Sequence, residues 1–458
     1  MKPGTPLVPS LVYAALTTSI VSSLGMLLVP AIAADLDVSI SAAQWMLTIN
    51  LLVGAVATPI MGRLSDGRNT RRLLLTSLGI ILAGSIVAAV APTFTIFLVG
   101  RALQGLTYGI VPVTIVLARR HLGAGDAAPA ISTLSVTVAT GLGLGYPLTG
   151  MLASLLDYRI AFWFAAGFVL TAIVVVWRGV PADGDAGTSR PFDTVGAALL
   201  SFGLAGLLIT VSQGSHWDWL SAPTFAAALT GAACLVAWAV VELRSRDPLI
   251  NLHVVKAPDV LLANLTAIGL GAAMYMSLST ISIIAQAPAA TGYGLELPLF
   301  WAGFVMLPLS VGSLVGNRLV RRMGPASMAA MLPAGSSVMA ASGLMIWLTN
   351  DELWEILLGM FLFGLGMGAA YAAMPALVAR SVAAFEVGSA VSFNQVLRTV
   401  GGAVGSATVG SILAASPGQH GIAVALGVAA VTASAVCAAL VVNQIRIGRN
   451  PTRRVRPT

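Results

Sequence analysis

Apolar residues fall in blocks of roughly 18 to 25 along the whole chain, separated by short polar breaks, and a helix of that length crosses about 30 Å of hydrocarbon. Lipid offers no partner to a backbone amide, so each block must close its own hydrogen bonds as a helix. A transmembrane barrel has segments of roughly ten residues that alternate polar and apolar, a pattern this chain lacks. The blocks predict fourteen spans, at 11–34, 44–63, 73–91, 95–118, 131–155, 160–177, 195–213, 222–241, 260–285, 298–320, 327–348, 353–378, 387–414 and 420–444.

Composition and charge add orientation. With 57% hydrophobic and 9% charged residues, the chain has too little polar surface for a water-soluble globule of 458 residues. If alternate loops are assigned to one side, starting from the N-terminus, all of the 24 Lys and Arg residues fall there except Arg101, Arg159 and Arg398. Arg101 and Arg398 lie within predicted spans. The basic side, with both termini, is expected to be cytoplasmic in a plasma (inner) membrane, and an odd number of spans would spoil the sorting. The net charge of +7 is scattered between spans, with no aromatic stacking surface beside it, so it reads as topology rather than nucleic-acid binding. Lys2, the apolar stretch Leu11 to Val29 and Ala31-Ile32-Ala33 mimic a cleavable signal peptide, but the stretch exceeds the usual length and cleavage would remove the first helix of a six-helix unit.

Chemistry-bearing clusters are sparse. Cys234 and Cys437 lie inside apolar blocks, where packing explains them. His121, His216, His253 and His420 sit in different loops and form no metal-ligand pattern, so an enzyme, a metal site and a cofactor are all unexpected. Two long connections, Arg178 to Thr194 and Glu242 to Asp259, bracket spans 7 and 8. The partition is a six-helix bundle over 1–180, a linker carrying spans 7 and 8 over 181–259, a second six-helix bundle over 260–445 and a basic cytoplasmic tail over 446–458. Two equal bundles around a seam form the architecture that alternating access requires.

The loop after span 2 reads Gly62-Arg63-Leu64-Ser65-Asp66-Gly67-Arg68-Asn69-Thr70-Arg71-Arg72. It resembles the signature loop of the major facilitator superfamily, with Asn69 where the last Gly usually stands. The matching loop of the second half, Asn317 to Pro325, is a degraded copy with Arg321 at the Asp position, as expected of an internal repeat. Span 4 carries Arg101-Ala102-Leu103-Gln104-Gly105-Leu106-Thr107-Tyr108-Gly109, similar to a segment of the same superfamily. Arg101, Gln104 and Tyr108 share one helix face. Span 5 carries Gly141 to Gly150, including Gly145 and Pro147, and resembles the Gly-rich motif of antiporters and exporters.

With the fourteen-span count, the Val241 to Leu249 exit from span 8 and Phe393 to Arg398 in span 13, these motifs together resemble the fourteen-spanner drug:proton antiporters. The resemblance implies an all-α major facilitator fold of two six-helix bundles plus a two-helix insert. It also implies a transporter, embedded in the lipid bilayer, that exports drug-like or secondary-metabolite small molecules by alternating access, coupled to protons; the alternative is an importer or uniporter of a small neutral or anionic solute. Coupling and gating would fall to Asp66, Arg71, Arg72, Arg101, Gln104, Gly105, Gly145 and Pro147, with Asp66 latching the bundles. Substrate contact would fall to Ser22, Met26, Asn50, Tyr108, Asn264, Tyr275, Tyr371, Met374, Asn394 and Arg398. Relatives commonly carry an Asp eight or nine residues before a Pro of the first helix; counting back from Pro30, this chain has Val21 and Ser22. A cavity with two arginines and no mid-span carboxylate should disfavour lipophilic cations.

Overall fold

The protein is described from a computed structural model that covers residues 7–65, 67–122, 130, 134, 141, 145–154, 157–182, 193–245, 248, 252, 258–323, 328–350, 352–380 and 387–449. Among them no strand occurs, and thirteen helices are long and apolar enough to cross a membrane. In chain order the helices are α1 (Leu7–Asp35), α2 (Ile40–Ser65), α3 (Thr70–Val90), α4 (Phe94–His121), α5 (145–154, the described part of the fifth predicted span), α6 (Arg159–Gly179), α7 (Thr194–Trp217) and α8 (Ala222–Arg244). The second set is α9 (Pro258–Gln286), α10 (Leu299–Val305 continued by Leu307–Arg322), α11 (Met328–Leu348), α12 (Leu353–Arg380), α13 (Val387–Ala415) and α14 (Gln419–Arg449).

The starts of several helices have a local chemical cause. Ser39 Oγ accepts the Ala42 amide at 3.1 Å, Thr93 Oγ1 the Ile96 amide at 3.4 Å and Asp193 Oδ1 the Gly196 amide at 2.7 Å, each satisfying an otherwise orphaned donor. Hydroxyls inside the apolar stretches bond their own preceding turn, as Thr58 does to the Gly54 carbonyl at 2.7 Å and Thr149 to Gly145 at 2.7 Å. Short 3₁₀ segments interrupt α1 at Met26–Leu28 and α4 at Gly105–Gly109. The first break follows from Pro30, which has no amide to give the Met26 carbonyl and whose ring crowds it.

Within the first six helices, α1 packs on α4 and α6, and α3 on α4 and α6; within the last six, α12 packs on α10 and α11, and α9 on α13 and α14. Between the sets, α2 lies along α13, and the broken part of α1 meets α9. Helices α7 and α8 pair with each other, and α7 also crosses α2 and α13, where Leu200, Leu204 and Trp238 pack with Ala55, Phe393 and Val396.

Candidate functional site

A neutral polar clasp joins the two sets toward the Asp35 end of α1, away from its start at Leu7. The Met26 carbonyl left vacant by Pro30 accepts Ser282 Oγ of α9 at 3.0 Å, and the neighbouring Leu27 carbonyl accepts Gln286 Nε2 at 3.0 Å. Nearby, Ser279 Oγ donates to Gln44 Oε1 at 2.8 Å, Ser406 Oγ to the Gln44 carbonyl at 3.3 Å, and Ser41 Oγ to the Gly410 carbonyl at 2.6 Å. Thr48 Oγ1 reaches Ser406 Oγ at 3.1 Å, while Gln44 Nε2 is buried without a partner. Sequence reasoning missed Gln44, Ser279, Ser282, Gln286 and Ser406. Their signal was polar residues within apolar blocks, and only the packing gives those residues partners.

Arg101 is sealed, at 1% exposure. Its Nε donates to the Met46 carbonyl of α2 at 3.3 Å and its Nη1 to Gln104 Oε1 at 2.6 Å, and Gln104 Nε2 continues to Ser85 Oγ of α3 at 2.9 Å. The guanidinium also lies 5.9 Å from the centre of the Phe162 ring of α6, a favourable cation–π arrangement away from water. No carboxylate pairs with Arg101 among the described residues. Asn50 Nδ2 holds the Arg101 carbonyl at 3.0 Å, and a side chain at Gly105 would run into the Asn50 carbonyl at 2.7 Å, so α2 and α4 touch backbone to backbone here.

Further along α4, Tyr108 crosses to the other set. Its hydroxyl lies 3.3 Å from that of Tyr275 on α9, and the Tyr371 hydroxyl reaches Met274 Sδ of the same helix at 3.7 Å. Tyr371 lies beneath the Arg398 guanidinium, 4.4 Å from Cζ to ring centroid, and Arg398 also bonds the Gln395 side chain. Tyr108, Tyr275, Tyr371 and Arg398 are therefore brought together, all partly exposed, with Met374 buried on the same helix as Tyr371.

Other candidates lie elsewhere. Asn264 and Asn394 are buried together, with Asn394 Nδ2 donating to Asn264 Oδ1 at 3.0 Å and to the Ala263 carbonyl at 3.0 Å, and so tie α9 to α13. Ser22 is half-buried on α1 and its hydroxyl has no partner; Met26 is buried at the clasp. Gly145 packs on Ser23, and Pro147 lies beside Gly303 of α10, whose built Cβ would stand 3.3 Å from its Cα. Asp66 lies outside the described residues; of the loop around it, Arg71 donates to the Trp177 carbonyl and Arg72 is exposed. Arg120, not singled out in the sequence, gathers that turn by donating to the Ser65 carbonyl at 2.9 Å, the Gly67 carbonyl at 2.7 Å and Thr70 Oγ1 at 2.6 Å.

Glu242 is 1% exposed near the end of α8 and accepts Trp238 Nε1 at 3.0 Å, an i, i+4 pair whose burial the span-exit motif did not reveal. Asp35 bridges the outer ends of α1 and α6, accepting Arg159 Nη2 at 2.9 Å and the Tyr158 hydroxyl at 3.0 Å. Burial and then that hydrogen bond hold the Tyr158 phenol above its ordinary pKa.

Residues 11–406 match the family model described as the Major Facilitator Superfamily. The chain is 23% identical over 426 residues to the multidrug transporter protein MdtP of Bacillus subtilis (strain 168), covering 91% of this chain and 75% of that protein. It is 28% identical over 401 residues to the puromycin resistance protein pur8 of Streptomyces alboniger, covering 84% and 76%. Its fold is similar to a crystal structure of the peptide transporter POT in complex with sulfate, with TM-score 0.72 at 15% identity over 98% of this chain and 96% of that one.

Proposed function

The chain belongs to the major facilitator superfamily, a family of multi-pass membrane transporters and not of enzymes, and from that premise we propose that it exports drug-like or secondary-metabolite small molecules by proton-coupled alternating access. In this reading the units 1–180 and 260–445 rock against each other in the plasma membrane, with 181–259 as the insert and the tail 446–458 and both termini cytoplasmic. The observation that carries it is the clasp toward the Asp35 end of α1, where Gln44, Met26 and Leu27 of one unit meet Ser279, Ser282, Gln286 and Ser406 of the other. Each bond there is neutral and worth only about 1 kcal/mol, so the set can open and reclose within one transport cycle. Relatives named for multidrug transport and puromycin resistance support export of small molecules.

Everted vesicles carrying the protein and an imposed inside-acid gradient test the direction and the coupling. A transported compound is expected to discharge the gradient and accumulate inside; accumulation in right-side-out vesicles instead would establish the importer alternative. Glu242→Gln and Asp66→Asn are expected to abolish gradient-driven accumulation in at least one case while leaving substrate exchange intact. Full coupling in both variants would remove these two carboxylates as proton carriers.

The clasp makes its own prediction. Gln44→Leu removes the amide that ties α2 to α9, and loss of about 1–2 kcal/mol moves a two-state equilibrium roughly 5- to 30-fold toward the form open at that end. A Ser22→Cys reporter in a Cys234→Ser, Cys437→Ser background should then react faster with an impermeant maleimide added from that side. An unchanged rate would show that the clasp does not hold the gate.

A further inference from the structure

The inner face of the α2–α13 seam carries two aromatic platforms, one from each unit. A Cβ built on Gly54 of α2 would meet the Tyr108 ring, and one built on Gly402 of α13 would stand 2.7 Å from Tyr275 Cδ2. Both rings thus lie close against helix backbone that glycine leaves bare, and their hydroxyls meet at 3.3 Å across the seam. Beside them the Arg398 guanidinium stacks on Tyr371 at 4.4 Å. Stacking orients a guanidinium without using its in-plane donors, and the hydrogen bond to Gln395 occupies one edge of the fork.

Arg398 differs from Arg101 in the feature that matters for a ligand. Arg101 is sealed against protein carbonyl and amide oxygens, whereas Arg398, Tyr108, Tyr275 and Tyr371 are half-buried residues. Among the described residues no carboxylate pairs with Arg398. A cation held at membrane depth without a counter-charge is costly, and an arriving acid removes that cost while a second cation raises it.

We propose that the substrate is a planar organic anion, bound with its acid group on the Arg398 guanidinium and its ring against Tyr275 and Tyr371. This deepens the transporter reading and rests on it. The planar fork of Arg matches a carboxylate in two parallel bonds, and tyrosine rings offer flat, weakly polar faces to a conjugated ring. Because the Tyr108 and Tyr275 hydroxyls lie 3.3 Å apart on opposite units, a ligand against Tyr275 stands beside the boundary between them.

Two dyes sharing one xanthene skeleton separate charge from shape: fluorescein, an anion, and rhodamine 6G, a cation. With the purified full chain in lipid nanodiscs, fluorescence anisotropy should show fluorescein binding about tenfold or more tighter than rhodamine 6G, a factor worth about 1.4 kcal/mol. Arg398→Gln should weaken fluorescein by about tenfold and leave rhodamine 6G within about threefold, with Arg398→Lys between them. Should Arg398→Gln not fold, Arg398→Lys together with Tyr371→Leu carries the test, each expected to weaken fluorescein by about fivefold. Equal or tighter binding of rhodamine 6G, no binding of either dye, or fluorescein affinity unmoved by these variants overturns the proposal. Fluorescein that binds through Arg398 but is not accumulated by everted vesicles would leave the substrate class standing and overturn export.

Discussion

Arg101→Ala lowers transport to below about 1% of the wild-type rate per folded molecule, the largest functional loss expected from any single change in the first unit. The guanidinium joins four helices at one point: it springs from α4, donates to α2, reaches α3 through Gln104 and Ser85, and lies against Phe162 of α6. Removing it leaves the Gln104 amide oxygen buried without its donor and opens a void the size of a long side chain. Each orphaned polar group costs about 1–3 kcal/mol, so the melting temperature should fall as well. Arg101→Lys keeps the charge but not the planar fork, and an ammonium cannot hold the Met46 carbonyl and Gln104 in the same geometry. It should recover stability better than transport. The two effects are separated by measuring initial transport rates against the amount of monodisperse protein, and a wild-type rate in Arg101→Ala would remove α4 from the transport cycle.

Much of this architecture was legible because a membrane imposes its own ruler. The predicted span at 160–177 lies within the observed Arg159–Gly179, and that at 353–378 within Leu353–Arg380, since hydrocarbon thickness sets the length of an apolar block. The i, i+3 spacing of Arg101 and Gln104 alone puts their side chains within reach of each other. What hydropathy does not carry is rotation about the helix axis. Lipid and protein interior are both apolar, so the faces turned toward each look alike in the sequence. For that reason Asn264 and Asn394 read as cavity residues as readily as the buried α9–α13 pair the structure displays, and Gln44 passed unnoticed at the head of its span. Glu242 escaped for a different reason: it stands where α8 leaves its apolar block, and only the approach of Trp238 shows that it is buried.

Gly364→Val prevents recovery of folded protein, the second large effect expected. Helices α10 and α12 meet without side chains between them: a Cβ built on Gly364 would strike the Leu309 carbonyl and stand 2.8 Å from Leu309 Cα, and one on Gly368 would stand 2.7 Å from the Ser313 carbonyl carbon. The contact is mutual, since a Cβ on Gly312 would stand 2.8 Å from the Leu365 amide and one on Gly316 3.0 Å from the Ala369 amide. Backbone cannot shift as a flexible side-chain tip can, so relief requires the two helices to part and every contact along them to loosen. In lipid, close packing is the main force holding helices together, and a branched side chain wedged here should cost about 4 kcal/mol or more. Gly364→Ala should be milder but still destabilising. Gly167→Leu is the matched control, because a Cβ at Gly167 meets nothing within 4 Å. Size-exclusion profiles of the solubilised variants distinguish the outcomes: a monodisperse Gly364→Val peak equal to that of Gly167→Leu would mean that α10 and α12 are not held backbone to backbone.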